Sequence, residues 1–276
     1  MMKKLVLLFF LLVVPAALLC YAVFIEREWV ERTEYRVPCP AWQGEELRIA
    51  VLTDLHARPN DGEYIDRIVM AALAARPHAV VLLGDFLNHH QEDKCMPISE
   101  LEAHLRPLAA LPCYAVLGNH DYTHGEQPLR AMLARLGVQC VEGKSAELSA
   151  AGGKLDIGGI RCCYTYDAPD AVPQPRDGVP LLLLSHTPVG AQFAHPQTLL
   201  TVCGHTHGGQ VCWPWGGAVW MAEGKTPKEW AQGPITVQGR PCYVTRGLGT
   251  SCLPLRFCCR PELLLLRIKS RTDCAQ

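Results

Sequence analysis

Five apolar segments of this chain each run straight into a short polar cluster: AVLTDLH (50–56), VVLLGDF (80–86), YAVLGNHD (114–121), LLLLSHTP (181–188) and LTVCGHTH (200–207). A short apolar run bounded by turn residues reads as a buried strand. In open α/β sheets, ligand sites gather outside the carboxyl ends of strands. These five ends could therefore deliver their side chains to one place, provided the chain folds with them side by side.

The segments between these strands agree with that requirement. DGEYIDRIVMAALAARP (61–77) has helical spacing, with Ile65, Ile68, Val69 and Leu73 on one side and Pro77 as a stop. A second helix is expected across Ser99 to Leu108, and QPLRAMLARLG forms a third, closed by Gly137. From Val138 the pattern changes to short strands such as KLDIGGIRCCYTY, with PCYVTRG and PELLLLRIK near the C-terminus. Strand–helix alternation followed by strand-rich sequence indicates an α/β domain built on two sheets.

The N-terminus is different in kind. After MMKK comes an uncharged apolar run from Leu5 to Ile25, and ~20 such residues suffice to cross a bilayer as helix. It lacks a clean small-residue cleavage site, so residues 1–25 read as an uncleaved signal anchor, with a cleaved signal as the alternative. A single N-terminal anchor most often exports the domain behind it, so the rest of the chain is expected on the extracytoplasmic side of the membrane. Residues 26–46 read as a charged juxtamembrane stem, 47–270 as the main domain and 271–276 as a tail.

Net charge is −1 with a pI near 6.8, so no broad basic surface for nucleic acid is present and no such partner is expected. The 14 cysteines are scattered, include the adjacent pairs Cys162–Cys163 and Cys258–Cys259, and form no C-x-x-C pair. They read as small buried apolar residues without a metal role. Nothing in the sequence specifies an oligomeric state.

The strand ends gather Asp54, His56, Asp85, Asn119, His120, His186, His205 and His207. Seven of these are plausible ligands, enough for two metals if one carboxylate bridges. Carboxylate, imidazole and amide oxygen suit Mn²⁺, Fe²⁺ or Zn²⁺, and two such ions ~3.5–4 Å apart are a recurring device for cleaving phosphate esters. Gly84, Gly118 and Gly204 each precede a ligand, where the chain must turn and approach closely. Alternation along an extended tail would aim Asp54 with His56, and His205 with His207, at a common centre. Taken alone, DLH or GDF is an ordinary turn, and GHTH is an even choice between turn and metal site. His78, His104 and His195 read as surface or satisfied core residues. His89, His90 and His124 read as surface loops, with the rim of the site as the alternative.

The ordered set D-x-H, G-D, G-N-H-D, H, G-H-x-H resembles the calcineurin-like metallophosphoesterase superfamily, over roughly Arg48 to Ile268. GHTHGGQV and TRGLGTSCLPLRFCCRPE further resemble its membrane-associated bacterial branch, similar to YkuE and YaeI. The resemblance implies a four-layer αββα sandwich of two mixed sheets flanked by helices, with the site at the strand ends. It implies one metal on Asp54, His56, Asp85 and His207. A second would sit on Asp85, Asn119, His186 and His205, with Asp85 as the bridge and a bridging hydroxide as the in-line nucleophile. His120 would stabilise the transition state or protonate the leaving oxygen, with Asp121 orienting its ring. A departure lies after the G-D pair, where many relatives carry an acidic residue and this chain has GDFLNHH.

The implied substrate is a phosphodiester, phosphomonoester or pyrophosphate. A lipid-linked species such as a UDP-linked acylated sugar is the leading class, because related membrane-associated enzymes include one that cleaves such a molecule. Trp213, Trp215, Trp220 and Trp230 could wall an apolar pocket or cover the sheet edge, and Arg246 could contact phosphate or pair with a core carboxylate. The competing reading is a catalytically silent scaffold for protein binding. A nuclease is disfavoured by the neutral charge.

Overall fold

A computed structural model describes residues 2–88, 94–162, 168–221 and 226–270. His89, His90 and the 271–276 tail lie outside the described residues. The chain opens with helix α1 (Met2–Cys20), which continues as tighter and looser helical turns through Glu28. The side chains described along α1 are exposed, and Phe9–Glu28, with mean hydropathy 2.3, is long and apolar enough to cross a membrane. At its root the Arg256 N–H donates to the Ala22 carbonyl at 3.1 Å, and the Cys259 N–H donates to the buried Glu26 carboxylate at 2.6 Å.

Strand β1 (Glu31–Pro38) comes next, so the segment read as a stem contributes to a sheet instead. It pairs in parallel with the last described strand, and Val37, with Cys39 and Trp42 just beyond the strand's end, enters the core. Then come β2 (Leu47–Leu52), α2 (Gly62–Ala74), β3 (Ala79–Leu82), α3 (Ile98–Leu105), β4 (Cys113–Ala115), α4 (Asn119–His124), α5 (Glu126–Arg135) and β5 (Gln139–Cys140). The second half supplies β6 (Ser145–Ala150), β7 (Gly153–Gly159), β8 (Leu181–Ser185), β9 (Leu200–Cys203), β10 (Gly233–Val237), β11 (Arg240–Val244) and β12 (Glu262–Lys269). Two six-stranded mixed sheets result, in the orders β1-β12-β2-β3-β4-β5 and β10-β11-β9-β8-β7-β6.

The apolar strands are continuous because both faces are buried. In β2, Ala50 and Leu52 face the helices, in one core with Ile65, Ile68, Leu101 and Leu133. Leu47, Ile49 and Val51 face the other sheet, among Ile157, Leu182, Leu184 and Val202. Each such Leu, Ile or Val contributes roughly 1.5–3 kcal/mol on full burial. The outer face of the second sheet is covered more thinly. There the 3₁₀ turn Pro188–Phe193 brings Ala191 onto Cys203, Cys242 and Val244, and Trp230 of a second 3₁₀ turn packs beside it. The parallel strands β2, β3, β4, β8 and β9 all lead into the five polar clusters at their carboxyl ends.

Candidate metal centre

Beyond β2, β3 and β9 the backbone does not stay extended. Asp54, His56, Asp85, His205 and His207 all adopt left-handed conformations, with φ of 53°, 43°, 53°, 73° and 51°. The alternation expected along extended tails is therefore corrected: sharp left-handed kinks aim these residues. Such kinks are rare outside glycine and mark backbone held in place by its surroundings. Two glycines make room for them. A Cβ on Gly118 would lie 2.1 Å from Asp85 Oδ1, and one on Gly204 would lie 2.4 Å from Asp54 Oδ2.

These kinks, the start of α4 at Asn119 and the end of β8 just before His186 bring the strand-end residues together. The donor atoms of Asp54, His56 and His207 lie within 4.8 Å of one another, as do those of Asp85, His186 and His205. One oxygen, Asp85 Oδ2, stands 3.4 Å from His56 Nε2 and 3.3 Å from His186 Nε2. His56 Nε2 and His207 Nε2 face each other at 3.1 Å, and His207 Nε2 lies 3.8 Å from Asp54 Oδ1. His186 Nε2 is 3.1 Å from both Asn119 Oδ1 and His205 Nδ1. Its Nδ1–H donates to the Leu83 carbonyl at 2.7 Å, which fixes the ring so that Nε2 points inward. The Asp54 carboxylate accepts the His205 N–H at 3.0 Å and the Thr53 hydroxyl at 2.9 Å.

His120 opens helix α4 beside this cluster. Its N–H donates to Asp85 Oδ1 at 2.9 Å, and its ring meets that of His56 edge-on, centroids 4.8 Å apart. Asp121, the next residue, is engaged with the backbone. Its buried carboxylate accepts the backbone N–H groups of Asp85 (2.8 Å), Gly118 (2.8 Å) and Phe86 (2.9 Å), tying the G-D turn to the start of α4. In Asp121→Asn one acceptor oxygen becomes an NH₂ that faces an N–H donor. The variant is expected to lose about 2 kcal/mol of stability and to hold metal more weakly, read by thermal melting and metal titration.

Residues 47–220 match the calcineurin-like phosphoesterase family. The chain belongs to that family. It is similar to phosphodiesterase YaeI of Escherichia coli (strain K12), 26% identical over 254 residues that cover 90% of this chain and 92% of the relative. It is similar to the uncharacterized metallophosphoesterase YkuE of Bacillus subtilis (strain 168), 26% identical over 91% of this chain and 89% of the relative. An uncharacterized metallophosphoesterase of Helicobacter pylori (strain ATCC 700392 / 26695) is 28% identical over 81% of this chain, and the match spans 60% of that relative's length. Among solved structures the chain is similar to the NAD nucleotidase of Haemophilus influenzae, at 15% identity and TM-score 0.45, over 75% of this chain and 46% of that one.

The calcineurin-like phosphoesterases bind a dinuclear metal site, and the donor chemistry here fits such ions. Burial lowers His56 to about 3 and holds His207 well below the usual histidine range, so both present neutral rings. Their Nδ1 atoms are buried without a protein hydrogen-bond partner, and their facing Nε2 atoms are flanked by carboxylates. Burial opposes charge on His186, but the charge and hydrogen bond of Asp85 outweigh it and raise the imidazole to about 10. Burial likewise opposes charge on Asp85, yet His186, His56 and His120 hold its carboxyl well below the usual range. Burial pushes the Asp54 carboxyl up against the pull of His186. Oxygen and imidazole donors crowded this closely suit divalent cations of the Mn²⁺, Fe²⁺ or Zn²⁺ kind.

A cavity of about 360 Å³ opens over Asp85, Asn119, His120, His205 and His207. Its far wall is apolar, formed by Val211, Val219, Trp220, Met221 and Leu253. Arg246 does not reach it: the guanidinium pairs with Glu31 at 2.8 Å and lies 3.8 Å from Glu262, the core-carboxylate alternative. His78, His104 and His195 bond locally to Arg48, Asp66 and Gln197. Two positioning residues were not singled out in the sequence. Arg58 reaches the Thr250 and Ser251 carbonyls at 3.1 and 3.4 Å. Arg256, wholly buried, donates to the carbonyls of His207, Arg246, Gly247, Gly249 and Cys259. Arg256 lies in the LRFCCRPE run, part of the stretch that resembles the bacterial branch, where nothing local marks it apart from Arg260.

Proposed function

We propose that the chain is a membrane-anchored phosphoesterase using two divalent ions, Mn, Zn or Fe, to hydrolyse a phosphodiester, phosphomonoester or pyrophosphate bond. The observation that carries this reading is Asp85 Oδ2, placed between an imidazole of each donor cluster as a shared ligand must be. Asp54, His56, Asp85 and His207 would hold one ion, and Asp85, Asn119, His186 and His205 the other. At such a site the ions supply Lewis acidity and a lowered water pKa. The chain's own groups do the rest. The kinked turns fix the donors, the cavity admits the ester, and His120, in the cavity lining, would stabilise the transition state or protonate the leaving oxygen.

The apolar cavity wall and the apolar α1 support an amphiphilic, lipid-linked substrate, met by a catalytic domain on the extracytoplasmic face of the cell membrane. The alternative, a silent scaffold that keeps the site for protein binding, is favoured by no contact in the site. The test is hydrolysis of bis-p-nitrophenyl phosphate and p-nitrophenyl phosphate with Mn²⁺, Zn²⁺ or Fe²⁺. Turnover that chelation removes is expected. In His120→Ala, on the order of 10²-fold loss is expected on an alkyl phosphodiester, and much less when p-nitrophenolate leaves, because that group needs no proton. A wild-type chain inactive with all three metals on these and on natural phosphoesters overturns the reading in favour of the scaffold.

A further inference from the structure

Four large apolar side chains stand in solvent on the two loops beside the cavity: Trp220 (58% exposed) and Leu253 (56%), which line it, and Trp213 (47%) and Trp215 (79%), which follow Val211 of its lining in sequence. The rings of Trp213 and Trp215 stack in parallel, centroids 5.2 Å apart. They are held out by a rigid seam. The Cys212 N–H donates to the Phe257 carbonyl and the Phe257 N–H to the Gln210 carbonyl, each at 2.9 Å. Gln210 reaches across to the Leu253 and Leu255 carbonyls at 3.0 and 3.2 Å, and its side-chain oxygen accepts the Ser251 N–H at 2.6 Å. The tryptophan loop and the 251–257 loop therefore move as one unit.

That unit is fastened to the root of α1. The Arg256 N–H bonds to the carbonyl of Ala22, three residues inside the end of the apolar run at Ile25. At ~1.5 Å per helical residue, the Arg256 end of the 251–257 loop meets the helix about one turn below the end of that run. Phe24 and Ile25 are exposed there, and Trp29 is half exposed beneath the Arg260 guanidinium, 3.7 Å from its ring centroid. Tryptophan and arginine at the end of an apolar helix are the residues of a membrane–water interface. The exposed rim is thus continuous with the place where the chain enters the bilayer.

We infer that the loops carrying Trp213, Trp215 and Leu253 dock into the interfacial layer of the same bilayer that α1 spans, so that the cavity opens onto the lipid surface. The inference rests on the anchoring reading above and adds a second, separate membrane contact. It gives the exposed tryptophans an occupant, and it places the mouth of the site where the phosphate of an amphiphile lies.

The test uses the full chain in phosphatidylcholine nanodiscs, with and without lipids brominated near the headgroup, and reads tryptophan quenching. Wild type is expected to be quenched, and Trp213→Phe/Trp215→Phe to lose about half of the quenchable signal, because interfacial indoles carry it. If α1 is inserted but the loops are free, quenching comes from Trp29 alone and the double variant matches wild type, which overturns the inference and spares the anchor. No quenching in either protein overturns both. A dimer in the nanodisc that Trp213→Ser/Trp215→Ser dissociates, with no quenching lost, assigns the face to a second copy and also overturns it. A functional arm measures turnover of bis-p-nitrophenyl phosphate in solution and of a hexadecyl p-nitrophenyl phosphate in the disc. Trp213→Ser/Trp215→Ser is expected to lose about tenfold on the embedded ester and less than about twofold on the soluble one. Equal effects on both overturn the docking role, and the quenching arm needs no turnover at all.

Discussion

Replacing Asp85 by alanine is expected to lower phosphodiester turnover on the order of 10³-fold or more, about 4 kcal/mol of transition-state stabilisation, while the chain stays folded. Asp85 is 1% exposed and sits between the two donor clusters, with His56 and His186 on either side of one oxygen and the His120 N–H on the other. No other carboxylate is shared in this way among the described donor groups. Its loss strips an anionic ligand from both clusters at once, whereas removal of Asn119 or His207 would weaken only one. Metal content should fall to about one ion per chain or fewer. The alanine removes a buried carboxylate and holds the same left-handed backbone at about 1 kcal/mol of added strain, too little to unfold a domain of this size. Turnover, metal analysis and melting temperature, measured on one preparation, separate these effects. An Asp85→Ala protein that keeps its metals and its turnover would remove the basis of the two-metal reading.

Arg256→Met is expected to cost ~3–5 kcal/mol of stability, the range for uncovering one side of a buried charged network. The guanidinium is fully buried, and its oxygen partners are backbone carbonyls, from 2.6 Å at Gly249 to 3.2 Å at His207 and Gly247. Those carbonyls come from three stretches: the GHTH turn, the 246–249 turn over Asp54, and Cys259. Methionine fills the volume but satisfies none of them. At ~2–4 °C per kcal/mol for a domain of this size, melting should fall by about 10 °C. Because His207 hangs from the same hub, added Mn²⁺ should stabilise the variant less than it stabilises wild type. Lysine keeps the charge but is a point donor that cannot span the fork, so Arg256→Lys should recover only part of the loss.

The site was legible where its information is local. Each donor lies just past an apolar run in sequence, so five short windows named Asp54, His56, Asp85, Asn119, His120, His186, His205 and His207, and the structure brings them together. The windows could not carry the conformation between donors, since a left-handed kink at Asp54 depends on Gly247 and Gly249 packing against it from the far end of the chain. The backbone role of Asp121 was invisible for the same reason: its partners include N–H groups of another strand's turn, and backbone donors leave no mark in a sequence. Arg256 bonds chiefly to carbonyls and was invisible to charge pairing. Strand β1 was hidden as well. ERTEYRVP carries charge at half its positions because it is an edge strand, and its partner β12 lies at the opposite end of the chain.

Five of the donor residues occupy backbone that glycine would fill at lower energy, and each holds it at a cost of about 1 kcal/mol. Random substitution in a lineage without need of the chemistry would therefore be drawn toward glycine at Asp54, His56, Asp85, His205 and His207, with backbone strain relieved at every step. A chain in which all five remain carries a standing thermodynamic debt. Only the work done by those side chains gives selection a reason to keep it, and that weighs against a silent scaffold.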